Sequence, residues 1–150
     1  MLTIVGQCHC GNLQHSLTLA EHIKHVSVLS CSCTFCRLHS PKWLGKPVSS
    51  CHLRAEQASD VRPYRLASPS VDYVVCSHCG VLMSALMWID RQLYMNVNVA
   101  TLVLPAQLEV DQDLWVAMGE SEEWRRERRR QTWISEVTLS TGLKERLTPR

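Results

Sequence analysis

Three thiols within six residues constrain this chain more than any other feature. Cys31-Ser32-Cys33-Thr34-Phe35-Cys36 runs a C-x-C directly into a C-x-x-C. A disulfide joins two cysteines at a defined separation, so a third thiol this close has no place in that scheme. A soft divalent metal takes several thiolates converging from one short loop, which this stretch supplies. Two further pairs flank it, Cys8-His9-Cys10-Gly11 upstream and Cys76-Ser77-His78-Cys79-Gly80 downstream. Each pair runs into glycine, which allows the positive φ that such a knuckle usually needs. Cys8, Cys10, Cys76 and Cys79 offer the four sulfurs of a closed, structural zinc site. Cys31, Cys33 and Cys36 offer three, and three protein ligands with one exchangeable position are the mark of catalytic zinc. The expected cofactor is therefore Zn2+ at two sites, one structural and one catalytic and more labile.

With 150 residues and a hydrophobic fraction of 45%, the chain is long enough for a core of its own, so the cysteines are not needed as staples. A net charge of +2 points to no polyanionic partner by itself. No apolar run approaches the roughly 18 residues of a membrane span. Met1-Leu2-Thr3-Ile4-Val5-Gly6 lacks the basic leader and apolar segment of a secretory signal. A reducing, cytoplasmic setting is expected, where clustered thiols act as metal ligands or catalysts rather than disulfides.

Short strands dominate the pattern. Thr3 to Val5 and Leu13 to Leu19 flank the first knuckle, and Leu13, His15, Leu17 and Leu19 alternate with polar residues, which predicts a half-buried hairpin. Ile23 to Ser30 reads as a strand delivering the triplet. Thr34 is expected as an N-cap, with a helical turn from Phe35 to His39 stopped by Pro41. Pro47 to Arg54, Val61 to Ala67 and Val71 to Val75 read as further strands. Val81 to Ile89 and Gln92 to Val99 predict a core hairpin turning at Asp90-Arg91. Leu108 to Val110 and Leu114 to Val116 are candidate short strands. Met83, Met87 and Met95 are expected as core filler, and Cys51, alone in a strand, as a buried structural cysteine. The fold class is mainly β. Residues 1–118 are expected to form the zinc-binding domain and 119–150 a charged C-terminal extension, whose order the sequence leaves open. Within it, Trp124-Arg125-Arg126-Glu127-Arg128-Arg129-Arg130 could touch phosphate backbones, against which stand the acidic residues interspersed from Glu120 to Glu145, as on a solvated helix face.

Three thiolates on a divalent cation leave about one negative charge, a combination poorly suited to activating water but well suited to a further soft sulfur. A thiol bound there is held as thiolate. The triplet thus suits a small thiol substrate better than amide hydrolysis. The alternative is that Cys51 or His39 fills the fourth position and both sites are structural.

In order, spacing and all seven clustered cysteines, Gly6 to Gly11, Cys31 to Arg37 and Cys76 to Gly80 resemble the glutathione-dependent formaldehyde-activating enzyme family, which includes centromere protein V. The resemblance spans roughly residues 3 to 116. It implies a β-tent fold, a structural zinc on Cys8, Cys10, Cys76 and Cys79, and a catalytic one on Cys31, Cys33 and Cys36. It implies carbon–sulfur lyase chemistry that joins formaldehyde to glutathione as S-hydroxymethylglutathione. Arg37 would be a candidate to hold a substrate carboxylate and His78 a candidate acid or base. The likeness to centromere protein V keeps open a non-catalytic zinc module that binds a partner or nucleic acid through Arg125 to Arg130, and a thiol–disulfide redox role for the triplet with Cys51 is a third possibility.

Overall fold

The computed structural model of the chain describes residues 1–66, 71–115 and 119–148. Two β-sheets face each other. The first carries, edge to edge, β10 (Leu102–Val103), β1 (Leu2–Gln7), β2 (Leu13–Leu19), β5 (Ser50–Ala55) and β12 (Val137–Leu139). The second runs β11 (Glu109–Trp115), β3 (His25–Cys31), β4 (Trp43–Leu44), β9 (Gln92–Asn98), β8 (Leu82–Ile89), β7 (Asp72–Cys76) and β6 (Val61–Arg65). The mainly β expectation is met. Most neighbours pair antiparallel as expected, but β11 lies parallel to β3 and β12 parallel to β5. Local alternation cannot reveal such pairings, because both partners are remote in sequence.

The hairpins follow their patterns. In β2, Leu13, His15, Leu17 and Leu19 are buried while Ser16 is exposed, so the period of two places one face on the core. β8 and β9 turn at Asp90 and Arg91, both at positive φ (48° and 68°). That two-residue turn has the twist of the strands it joins. The strand predicted over Val61 to Ala67 ends at Arg65, and Ala67 and Val116 lie outside the described residues. The two candidate strands around Leu108 and Leu114 are one strand, β11.

β8 is buried on both faces, which is why it reads as a continuous apolar run. Leu86 faces the cluster between the sheets, with Ile4, Leu17, Leu53 and Val97. Ala85, Met87 and Ile89 face a second cluster with Cys36, Trp43, Tyr73 and Trp133. Met83, Met87 and Met95 are all buried, and the Cys51 thiol donates to Met95 Sδ at 3.5 Å in the core, as core filler and a structural cysteine should.

The C-terminal segment packs against both sheets. Helix α2 (Glu122–Thr132) ends against β4, where the Lys46 N–H donates to Thr132 O at 2.8 Å. A Cβ on Gly45 would collide with that carbonyl, so only glycine fits the approach. Ile134, fully buried, exchanges both backbone hydrogen bonds with Met95 (3.0 and 2.9 Å). Helix α3 (Thr141–Leu147) buries Leu143 and Leu147.

One polar pair bridges the sheets. His15 Nε2 on β2 meets Ser84 Oγ on β8 at 2.8 Å, while His15 Nδ1 has no partner. Burial pushes the imidazole down to about 3 from its ordinary 6.5. The folded protein therefore holds His15 neutral where the unfolded chain would protonate it. Its contribution is complete above pH 6.5 and is lost as pH falls toward 3. Denaturant titrations at pH 7 and pH 5 are expected to show a loss approaching about 1.4 kcal/mol per pH unit, flattened in His15→Asn. A variant with the wild-type profile would contradict this.

Candidate metal centres and the cavity beside them

The two outer knuckles have the same construction. The Cys8 N–H donates to Leu13 O (2.9 Å) and the Gly11 N–H to Cys8 O (3.0 Å); the Cys76 N–H donates to Val81 O (3.0 Å) and the Gly80 N–H to Cys76 O (2.7 Å). Gly11 and Gly80 both sit at φ 81°, where a side chain is strained, so each C-x-C-G or C-x-x-C-G turn needs its glycine. One knuckle closes the β1–β2 hairpin and the other closes β7–β8. Their four sulfurs converge: Cys8, Cys10, Cys76 and Cys79 place their Sγ atoms within 4.8 Å of one another, with Cys8–Cys10 at 3.5 Å and Cys10–Cys76 at 3.6 Å. Four thiols so packed suit a tetrahedral ion such as zinc.

The triplet lies where β3 runs into helix α1 (Thr34–His39). The helix is capped by Cys33, not by Thr34: Cys33 has extended backbone and its sulfur accepts the Cys36 N–H at 3.4 Å. The Cys33 sulfur takes the cap because it stands at the offset from which it reaches the Cys36 N–H. The Cys33 N–H in turn donates to Cys31 Sγ at 3.5 Å. Cys31 is drawn down to about 5, first by the proton it shares with Cys36, then by that backbone N–H, with Arg129 adding to the effect. Cys36 is pushed up correspondingly by Cys31 and by burial.

Cys31, Cys33 and Cys36 also place their sulfurs within 4.8 Å of one another, and among the described residues no further cysteine, histidine or carboxylate joins them. Cys51 is in the core beside Met95. His39 is exposed and rests on the Phe35 ring, 4.4 Å between centroids. His78 is exposed beyond the other knuckle, and Arg37 points into solvent from α1.

What stands beside the triplet is a cavity of about 250 Å³. Its walls are Trp43, Tyr73, Ala85 and Trp133 from the second cluster, and Arg125, Arg128 and Arg129 of α2 close it. The Tyr73 hydroxyl is 3.9 Å from Cys36 Sγ. Burial, then the charge of the nearby thiols, raises its pKa, so it remains a proton donor at neutral pH. Tyr73 did not stand out in the sequence, and the three arginines stood out only as part of a basic run that could touch phosphate backbones, not as the lining of a cavity. The arginines did leave a signal: 125, 129 and 133 repeat at i, i+4 and i+8, which puts Arg125, Arg129 and Trp133 on one helix face.

The fold and its two thiol clusters define a mainly β protein with two places able to hold a metal ion. The model of the glutathione-dependent formaldehyde-activating enzyme family matches residues 3–118, and the chain belongs to that family. Among solved structures, a crystal structure of a Rhodobacter sphaeroides protein, a structural-genomics target, is similar with a TM-score of 0.51 at 23% identity, over 73% of this chain and 99% of that one. That likeness concerns the fold. No curated protein sequence matches the chain. Among the described residues, no helix is long and apolar enough to cross a membrane.

Proposed function

We propose that this protein is a zinc-dependent carbon–sulfur lyase acting on the adduct of a small thiol, such as glutathione, with formaldehyde or a similar small aldehyde. One observation carries the reading: the triplet has three converging thiols and, where no fourth ligand stands among the described residues, a cavity with an aromatic wall. The quartet of Cys8, Cys10, Cys76 and Cys79 would hold a structural ion. Cys31, Cys33 and Cys36 would hold the catalytic one, which when bound supplies affinity for a further sulfur and keeps it as thiolate.

The protein's own groups do the rest. Trp43 and Trp133, both buried, give the cavity an apolar wall, beside which polar contacts are less screened than in water. In the synthetic direction the substrate thiolate attacks the carbonyl carbon. The carbon–sulfur bond forms, the carbonyl π pair moves to oxygen, and Tyr73 O–H donates the proton. Water returns a proton to the tyrosine. Cleavage is the reverse, with the deprotonated tyrosine as base.

Exchange spectroscopy on a mixture of formaldehyde and glutathione tests this. The protein should speed interconversion with the hydroxymethyl adduct well beyond the uncatalysed rate. Tyr73→Phe keeps the ring that packs 4.1 Å from Phe35 and should slow the catalysed exchange by about 10²-fold without lowering the melting temperature. A rate equal to the background for the wild type, or an undiminished rate for Tyr73→Phe, would remove the lyase or the proton donor respectively. The geometry does not favour a nucleic-acid surface, since Arg125, Arg128 and Arg129 line the cavity and Arg130 pairs with Asp90 and Glu127.

A further inference from the structure

The acidic residues around α2 are already engaged. Glu120 pairs with Arg128 (3.1 Å) and lies 3.9 Å from Arg125. Asp90 pairs with Arg130 and lies 3.8 Å from Arg126, and Glu127 pairs with Arg130 at 3.3 Å. Arg129 has none of these. Among the described residues no carboxylate lies within ion-pair distance of it. Its Nη1 donates only to Met87 Sδ (3.3 Å), a weak acceptor, its Nε is buried without a hydrogen-bond partner, and its guanidinium lies over the Trp133 ring at 5.2 Å. The Arg125 Nε is also buried without a hydrogen bond. Both side chains line the cavity that the triplet borders. A half-buried cation whose Nε has no partner is costly, and Arg129, the one of the two without a carboxylate beside it, is completed by an anion entering the cavity. Arg129 retains its charge at neutral pH, since burial and its arginine neighbours lower it only to about 10.

We propose that α2, which lies beyond the family-matched segment, adds an anion subsite to the cavity, in which Arg129, supported by Arg125, receives the carboxylate of a thiol whose sulfur sits at Cys31, Cys33 and Cys36. This rests on the thiol reading above and narrows it: the substrate is a thiol bearing a carboxylate a few bonds from sulfur, a chemistry shared by glutathione and simple mercaptocarboxylates. A guanidinium fork fits a carboxylate in two-point fashion, which fixes the orientation of the ligand as well as binding it. The competing role for Arg129 is to offset the negative charge of a metal bound by three thiolates, and that role is indifferent to a carboxylate.

Titration calorimetry on the metal-replete protein separates these with three probes: 3-mercaptopropionate, its neutral amide 3-mercaptopropionamide, and propionate. The wild type should bind the mercapto acid at least about tenfold more tightly than the amide, the scale of one charge-assisted contact. Arg129→Gln should abolish that preference while leaving the amide's affinity unchanged, Arg129→Lys should retain part of it, and Arg126→Gln on the outer face should retain all of it. Equal binding of acid and amide by the wild type overturns the subsite and leaves the thiol reading standing. Propionate binding as tightly as the mercapto acid, in an Arg129-dependent manner, overturns the thiol reading and leaves the anion subsite. Binding of none of the probes overturns both. Loss of metal from Arg129→Gln, measured by elemental analysis, assigns the residue to charge compensation and overturns the subsite. Should Arg129→Gln fail to fold, Arg125→Gln is read in the same way: a preference reduced about threefold supports the proposal and an unchanged one overturns it.

Discussion

Replacing Cys76 with serine is expected to unfold the protein rather than weaken it by degrees. Cys76 is fully buried at the end of β7, and its sulfur lies 3.6 Å from Cys10. Cys10 belongs to the turn closing β1–β2 in the first sheet, whereas Cys76 belongs to the turn closing β7–β8 in the second. An ion held by the quartet is thus a cross-link between the two sheets. Structural zinc contributes on the order of 10–16 kcal/mol in small peptides, as much as the whole stability of a typical domain, about 5–15 kcal/mol. Circular dichroism should show no cooperative melt for Cys76→Ser, and elemental analysis should find the quartet's metal gone. A variant melting within a few degrees of the wild type would deny the quartet its structural role.

Cys33→Ser should do the opposite, removing function while leaving the fold. Cys33 caps α1 through its sulfur, and a serine hydroxyl accepts the same N–H in the same place. The helix therefore keeps its cap, worth about 1 kcal/mol, and the half-buried site opens no core void. The triplet, however, falls to two sulfurs, Cys31 and Cys36. The expected result is one metal ion fewer per chain, an unchanged melting temperature, and aldehyde–thiol exchange at the uncatalysed rate. Full activity in Cys33→Ser would take the chemistry away from the triplet. A lost melt would show that the triplet, too, holds the fold together.

The contrast between these variants traces how far the sequence could be read. The thiol groups were legible because ligand spacing is local: C-x-C-G and C-x-x-C-G specify a turn within five residues, whatever surrounds it. The β8–β9 hairpin was legible for the same reason, with Asp90-Arg91 between two apolar runs. Thr34 was a sound choice of cap by residue type, and it lost to the sulfur one residue earlier, which stands at the capping position with extended backbone. The cavity was not legible. Tyr73 lies in a strand that reads simply as apolar, and it becomes notable only because α1 sets Cys36 beside it. The arginines of α2 sit in a segment dense with both charges, which reads as a solvated face. Their inward turn is set by Trp133 and Ile134 anchoring the end of the helix, and by the close approach at Gly45.

The placement of β12 has a consequence for the order of assembly. It pairs with β5 across 86 residues, Val137 with Cys51 and Leu139 with Leu53, and α2 is carried to the cavity by the chain between β11 and β12. Contacts of such separation form late, because the loop entropy must be met before they give any return. On a chain synthesised from its N-terminus, every cysteine is present before the first residue of α2 exists. The three thiols of the triplet are thus already in place when the helix that closes their cavity has yet to be made.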